Sequence, residues 1–213
     1  MGAVAAGAAR RKRFPAWLFL LGLAFFLLLI YLVAGSLVRP PLATFAPTPI
    51  DPRPAGDSLV VDTVTLDARD PVAWTRFDFS RGSVVSDPGP LEWDIAVRRY
   101  RIAVNGGAGS PGRAGAIALD LPWDSVREAA PGGYVGASAP LSGDPSVPAL
   151  DRWYRYDFLA HTLEPRPRTY VIRTADGEYA KLRILGYYCP EATPGCLTFE
   201  YAYQGDGGRR LVR

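Results

Sequence analysis

Residues 169–204, TYVIRTADGEYAKLRILGYYCPEATPGCLTFEYAYQ, decide the fold class. Two apolar-rich runs, 169–174 and 178–185, flank Ala175-Asp176-Gly177. Asp-Gly favours a tight hairpin turn because glycine accepts positive φ without steric cost. In the second run Ala180, Leu182 and Ile184 fall on one face and Lys181 and Arg183 on the other, the alternation of a strand with one buried face. Residues 197–204 repeat it, with Phe199, Tyr201 and Tyr203 set against Thr198, Glu200 and Ala202. The stretch predicts a three-stranded antiparallel meander.

The only two cysteines, Cys189 and Cys196, lie in the connection between its second and third strands, around a Pro-Gly pair. A disulfide is expected there, and closing so short a loop contributes about 2–3 kcal/mol in the chain-entropy model. A redox pair would favour Cys-x-x-Cys spacing, and a structural zinc would need two more ligands in a chain whose single histidine is His161.

Working outward, residues 75–80 alternate Phe77 and Phe79 with Arg76, Asp78 and Ser80, residues 93–104 read as one further strand, and 114–119 as another. No stretch beyond residue 58 sustains a helical period over twelve residues. The expectation is an all-β, mainly antiparallel domain over 58–213. Less regular segments interrupt it. Residues 122–130 suggest a short helix capped by Asp124 or Ser125, 132–148 a loop, and the aromatic-rich 151–163 a strand and bend.

The N-terminus differs in kind. Arg10, Arg11, Lys12 and Arg13 precede an uncharged apolar run over 16–38, which as a helix spans about 34 Å, enough to cross a bilayer core of about 30 Å. Trp17 and Tyr31 stand near its ends, where amphipathic rings favour the headgroup boundary. A cleaved signal peptide shares this layout, but its apolar core is typically about 7–15 residues, so an uncleaved anchor is expected. The resulting organisation is a cytoplasmic tail over 1–15, a membrane helix over 16–38, a proline-rich linker over 39–57 and an exported domain over 58–213, held at a bacterial cytoplasmic membrane. Pro40, Pro41, Pro47, Pro49, Pro52 and Pro54 make that linker an extended spacer.

Charge adds little about partners. The net +3 comes from 24 basic and 21 acidic residues, and four basic residues sit in the N-terminal cluster. The remainder therefore carries 20 − 21 = −1, no footprint for nucleic acid.

Catalytic and cofactor patterns are equally sparse. Gly107-x-Gly109-x-x-Gly112 has the spacing of a dinucleotide loop, but Pro111 breaks the required helix start and 114–119 reads as strand. No Gly-x-Ser-x-Gly elbow occurs, and no catalysis is expected. His161 suits packing or a backbone hydrogen bond, with a single axial haem ligand as the alternative. Trp74, Trp93, Trp123 and Trp153 suit core filling or the walls of a planar-ligand pocket. Arg98, Arg99 and Arg101 fall on both faces of their strand and suit solvated or ion-paired roles.

Three blocks together resemble the HmuY-like family: residues 74–82 (WTRFDFSRG), 93–107 (WDIAVRRYRIAVNGG), and 170–184 (YVIRTADGEYAKLRI) followed by Tyr187-Tyr188. The resemblance covers roughly residues 59–213. It implies an all-β fold and, for the founding members, capture of haem outside the cell between two histidines or two methionines. This chain has one histidine and only Met1, so no ligand pair carries over. The leading expectation is accordingly a non-catalytic, membrane-anchored interaction module without a cofactor. Its place would be as an accessory subunit of an integral membrane complex, with respiratory and photosynthetic assemblies such as a reaction centre as hosts. The alternative is a membrane-tethered binder of haem or another tetrapyrrole, with His161 as its ligand.

Overall fold

The computed structural model describes residues 15–37, 41–54, 56 and 58–213. The Arg10, Arg11, Lys12 and Arg13 cluster lies outside them. Helix α1, Ala16–Leu37, contains Trp17 and Tyr31 and buries none of its side chains. It is the one helix among the described residues long and apolar enough to cross a membrane. The chain divides into two compact units, one comprising α1 with Phe158–His161, the other Pro41–Asp157 with Thr162–Arg213.

The second unit is built on antiparallel strands, as the alternation predicts. Strands β1 (Val60–Asp67), β6 (Gly115–Leu119), β9 (Thr169–Arg173), β10 (Tyr179–Tyr188) and β11 (Pro194–Gln204) form one sheet in the order β1-β11-β10-β9-β6. Strands β2 (Thr75–Asp78), β3 (Ser83–Val85), β4 (Ile95–Arg98) and β5 (Arg101–Val104) form a second, ordered β3-β2-β4-β5. A hairpin of β7 (Tyr154–Asp157) and β8 (Thr162–Pro165) forms a separate two-stranded sheet. The core lies where the inner faces meet. Phe77 packs edge-on against Phe199 at 5.5 Å and Tyr201 at 5.7 Å, and Phe79 against Tyr201 at 5.4 Å. The predicted meander is β9-β10-β11, and Cys189 and Cys196 are bonded across its second connection.

Several local expectations change. Residues 93–104 form a hairpin rather than one strand, because Arg99 takes a left-handed φ of 53° and β5 folds back on β4. Residues 122–130 hold only a single 3-10 turn, Trp123–Ser125. The aromatic segment 151–163 supplies the β7-β8 hairpin. Asp78 is buried rather than solvated, its Oδ1 accepting from the amide and hydroxyl of Ser80. Lys181 is buried as well. Its ammonium donates to the carbonyls of Trp123 and Val126 and lies 4.3 Å from the Trp123 ring centroid. Burial holds its pKa below the ordinary lysine value.

The proline-rich segment from Pro41 onward is extended but is no free spacer. Phe45 donates its amide to the Tyr188 carbonyl, and its ring fills the space left by Gly186, where a Cβ would come within 2.6 Å. Further along, Thr48 and Thr65 of β1 exchange two bonds at 2.9 Å. The Asp51 amide then reaches Ser83 Oγ of β3, and the Arg53 amide the Arg81 carbonyl. Residues 41–54 thus form a strap across the β1 and β3 edges, ends that a sandwich otherwise leaves open to unwanted pairing.

Candidate functional site

The blocks that carry the resemblance converge on one seam between the two sheets. Asp94, just before β4, is 4 % exposed. Its Oδ2 accepts from the Phe79 amide at 2.9 Å, and its Oδ1 from the Ala175 amide at 2.8 Å in the Asp-Gly turn of the other sheet. Asn105 is fully buried beside it, donating Nδ2 to the carbonyls of Pro90 and Trp93. Its backbone bonds Asp94 on one side and Ala114 on the other. Arg113 completes the knot through the Ala175 and Asp176 carbonyls. Desolvation pushes the Asp94 carboxyl up to about 7. The two amide bonds oppose this rise, while the negative charges of Asp78 and Asp176 add to it. Asp94 and Asn105 hold the fold together; being buried, they present no surface to a ligand.

The glycine spacing serves the same seam. Gly107 has φ 95°, and a Cβ there would fall 2.3 Å from the Ala137 carbonyl oxygen. Glycine is needed for close backbone approach, not for a pyrophosphate.

Two large concavities flank the strap. One, of about 470 Å³, opens between strap and β1, with Phe79, Gly82 and Tyr201 as its floor and Arg53 and Asp62 at its rim. The other, of about 790 Å³, lies beyond Thr48 and is bordered by Ile50, Thr65, Arg69 and Val84. Both fall in the volume range of small-molecule sites.

His161 stands in the β7-β8 turn, exposed and in a left-handed conformation with φ 54°. It borders neither concavity, and neither is lined by histidine, methionine or cysteine. The residues present therefore fit one imidazole ligand at an exposed turn and do not fit a two-sided clamp. Of the tryptophans, Trp153 and Trp93 are buried in the core, Trp153 donating Nε1 to the Tyr100 carbonyl. Trp74 is capped by Arg98 at 4.5 Å, and Arg98 and Arg101 both pair with Asp144. The strap concavities and the Asp94 seam were missed in the sequence because each is assembled from segments far apart in the chain.

A family model described as HmuY protein matches residues 135–201. Comparison with curated proteins gives no match. Among solved structures, a protein from Bacteroides vulgatus ATCC 8482 described as HmuY-like and heme binding is 24% identical, with a TM-score of 0.53, over 68% of this chain and 92% of that one. An apo HmuY analog from Tannerella forsythia is 16% identical, with a TM-score of 0.56, over 70% and 97%. A Bacteroides fragilis NCTC 9343 protein described as a lipoprotein is 18% identical, with a TM-score of 0.56, over 78% and 99%. Identities this low show a shared fold, and the alignments take in nearly the whole of each neighbour. With the family match over 135–201 and this architecture, the chain is HmuY-like, an all-β domain of that fold following an apolar N-terminal helix.

Proposed function

We propose that the protein is a membrane-tethered, non-catalytic binding domain of the HmuY type, whose ligand is haem or a related tetrapyrrole. The HmuY match over residues 135–201 carries this reading, and a structural neighbour described as heme binding supports it. His161 lies inside the matched segment and is the only imidazole the chain can offer. His161 would supply the one imidazole ligand to haem held there. Helix α1 anchors the domain to the cytoplasmic membrane, and the basic cluster Arg10, Arg11, Lys12 and Arg13 keeps the N-terminus inside and the β domain outside.

Titrating the full chain in mild detergent with haemin tests the reading, with haemin in empty micelles as the reference. A Soret shift that His161→Ala removes is the expected result. A spectrum indistinguishable from haemin in empty micelles would end it.

The second reading is an accessory module docked on an integral membrane partner. It is favoured by α1, an apolar helix none of whose residues is buried. Recovery from mild detergent as a free monomer, with no co-migrating membrane protein, would count against it.

A further inference from the structure

The C-terminal segment builds a basic concavity that neither reading uses. After two glycines, Arg209, Arg210 and Leu211 fold back antiparallel on residues 127–129: the Leu211 amide donates to the Arg127 carbonyl at 2.9 Å and the Ala129 amide to the Arg209 carbonyl at 2.7 Å. Leu211, 1 % exposed, is pinned in a small second core with Val126, Ala129 and Val171. This clip surrounds a hollow of about 420 Å³ bordered by Arg127, Glu128, Arg209, Arg210 and Val212.

The charges in the hollow do not balance. Arg209 is committed to Glu128 at 2.7 Å, whereas the guanidiniums of Arg127 and Arg210 make no hydrogen bond or ion pair among the described residues. Most arginines of the domain do: Arg53, Arg69, Arg98, Arg155 and Arg183, for example, each hold a carboxylate. Two uncompensated guanidiniums sharing one hollow repel each other, and concave walls focus their field. The hollow carries 3 − 1 = +2 from its lining, on a chain whose residues beyond the N-terminal cluster total −1. A doubly charged, multi-oxygen anion would relieve that repulsion and match the planar donor forks of arginine.

We propose that the hollow formed by Arg127, Arg209 and Arg210 binds a phosphate-type oxyanion, supplied either as free phosphate or by an anionic lipid headgroup. Site-resolved modification of arginine by phenylglyoxal, read by peptide mass spectrometry on the full chain in neutral detergent, tests this, with the exposed Arg152 as internal reference. Inorganic phosphate at about ten times its dissociation constant should slow the reaction of Arg127 and Arg210 about tenfold, because only the empty fraction reacts. Arg152 should not change, and chloride at matched ionic strength should not protect. In the double variant Arg127→Gln, Arg210→Gln, phosphate should no longer slow modification of Arg209.

A parallel arm assigns the source: protection without added phosphate in nanodiscs containing phosphatidylglycerol, but not in those of phosphatidylcholine alone, identifies the lipid. Protection by free phosphate only identifies the soluble anion. Equal reactivity of Arg127, Arg210 and Arg152 in every condition, or equal protection by chloride, overturns the proposal.

Discussion

Two structures join the sheets of this sandwich, and they do so by opposite means. At the seam, one buried carboxylate grips amides from both sheets, Phe79 on one side and Ala175 on the other. At the strap, Thr48, Asp51 and Arg53 reach β1, β3 and the turn before β3 through backbone bonds, and the strap beyond Phe45 is exposed. The strap's bonds with Ser83 and Thr65 are only part-buried, so water competes for them, whereas both bonds to the Asp94 carboxylate are buried. A buried group is costly to leave unpartnered, whereas an exposed one exchanges its partner for solvent at little cost. The seam should therefore set global stability, and the strap should open locally above an intact core.

Removing the carboxylate is the harshest way to break this contrast. Asp94→Ala leaves two buried amides without an acceptor, at about 1–3 kcal/mol each, and urea denaturation should show a loss of that summed size. A loss below about 1 kcal/mol would mean that water reaches the seam.

The same residue makes stability depend on pH. Its carboxyl titrates at about 7 in the folded chain and at about 3.9 when unfolded. Between those values the folded state binds the extra proton, so stability is greatest on the acid side and falls as pH rises towards 7. The full effect is at most about 4 kcal/mol, three pKa units at about 1.4 kcal/mol each. Denaturant midpoints at pH 5 and pH 8 sample about two of those three units, roughly 3 kcal/mol, once other titrating groups are subtracted with the Asp94→Asn variant. A difference between the midpoints that survives that substitution would assign the effect elsewhere.

The disulfide lies outside both junctions and should leave their ranking unchanged. Reducing Cys189–Cys196 should cost about 2–3 kcal/mol on the chain-entropy account. The seam amides should then exchange faster in proportion to the global loss while the strap amides, exchanging through local opening, keep their rates, which hydrogen exchange with and without reductant would show.

The fold was legible where local chemistry fixed it. The meander could be read because Asp-Gly supplies the turn and the buried residues Ala180, Leu182, Phe199 and Tyr201 keep a period of two. The β4-β5 turn could not, since Arg99 carries the positive φ that a glycine would have announced. Lys181 looked solvated because its cover arrives from Trp123 and Val126, far upstream. The strap looked like a spacer because prolines announce extension but not what the extended chain lies against. For the candidate site, the sequence supplied His161 but no surroundings for it, while the resemblance blocks turned out to build the seam. Their likeness to HmuY proteins consequently transfers fold more directly than ligand chemistry.

The smallest effect tests the strap itself. Ser83→Ala removes the hydroxyl that accepts the Asp51 amide, and since that bond is only part-buried, its loss should cost no more than about 0.5–1 kcal/mol. The more telling measurement is hydrogen exchange in the unmodified chain. The Thr48 and Arg53 amides, bonded to the Thr65 and Arg81 carbonyls, should exchange through local opening and be nearly insensitive to low denaturant. The Phe79 and Ala175 amides should exchange only on global unfolding and respond steeply to denaturant. In Ser83→Ala the strap amides should speed up while those of the seam stay unchanged. If instead all four amides share one exchange free energy, strap and seam are a single cooperative unit, and the proline segment is a fixed part of the sandwich.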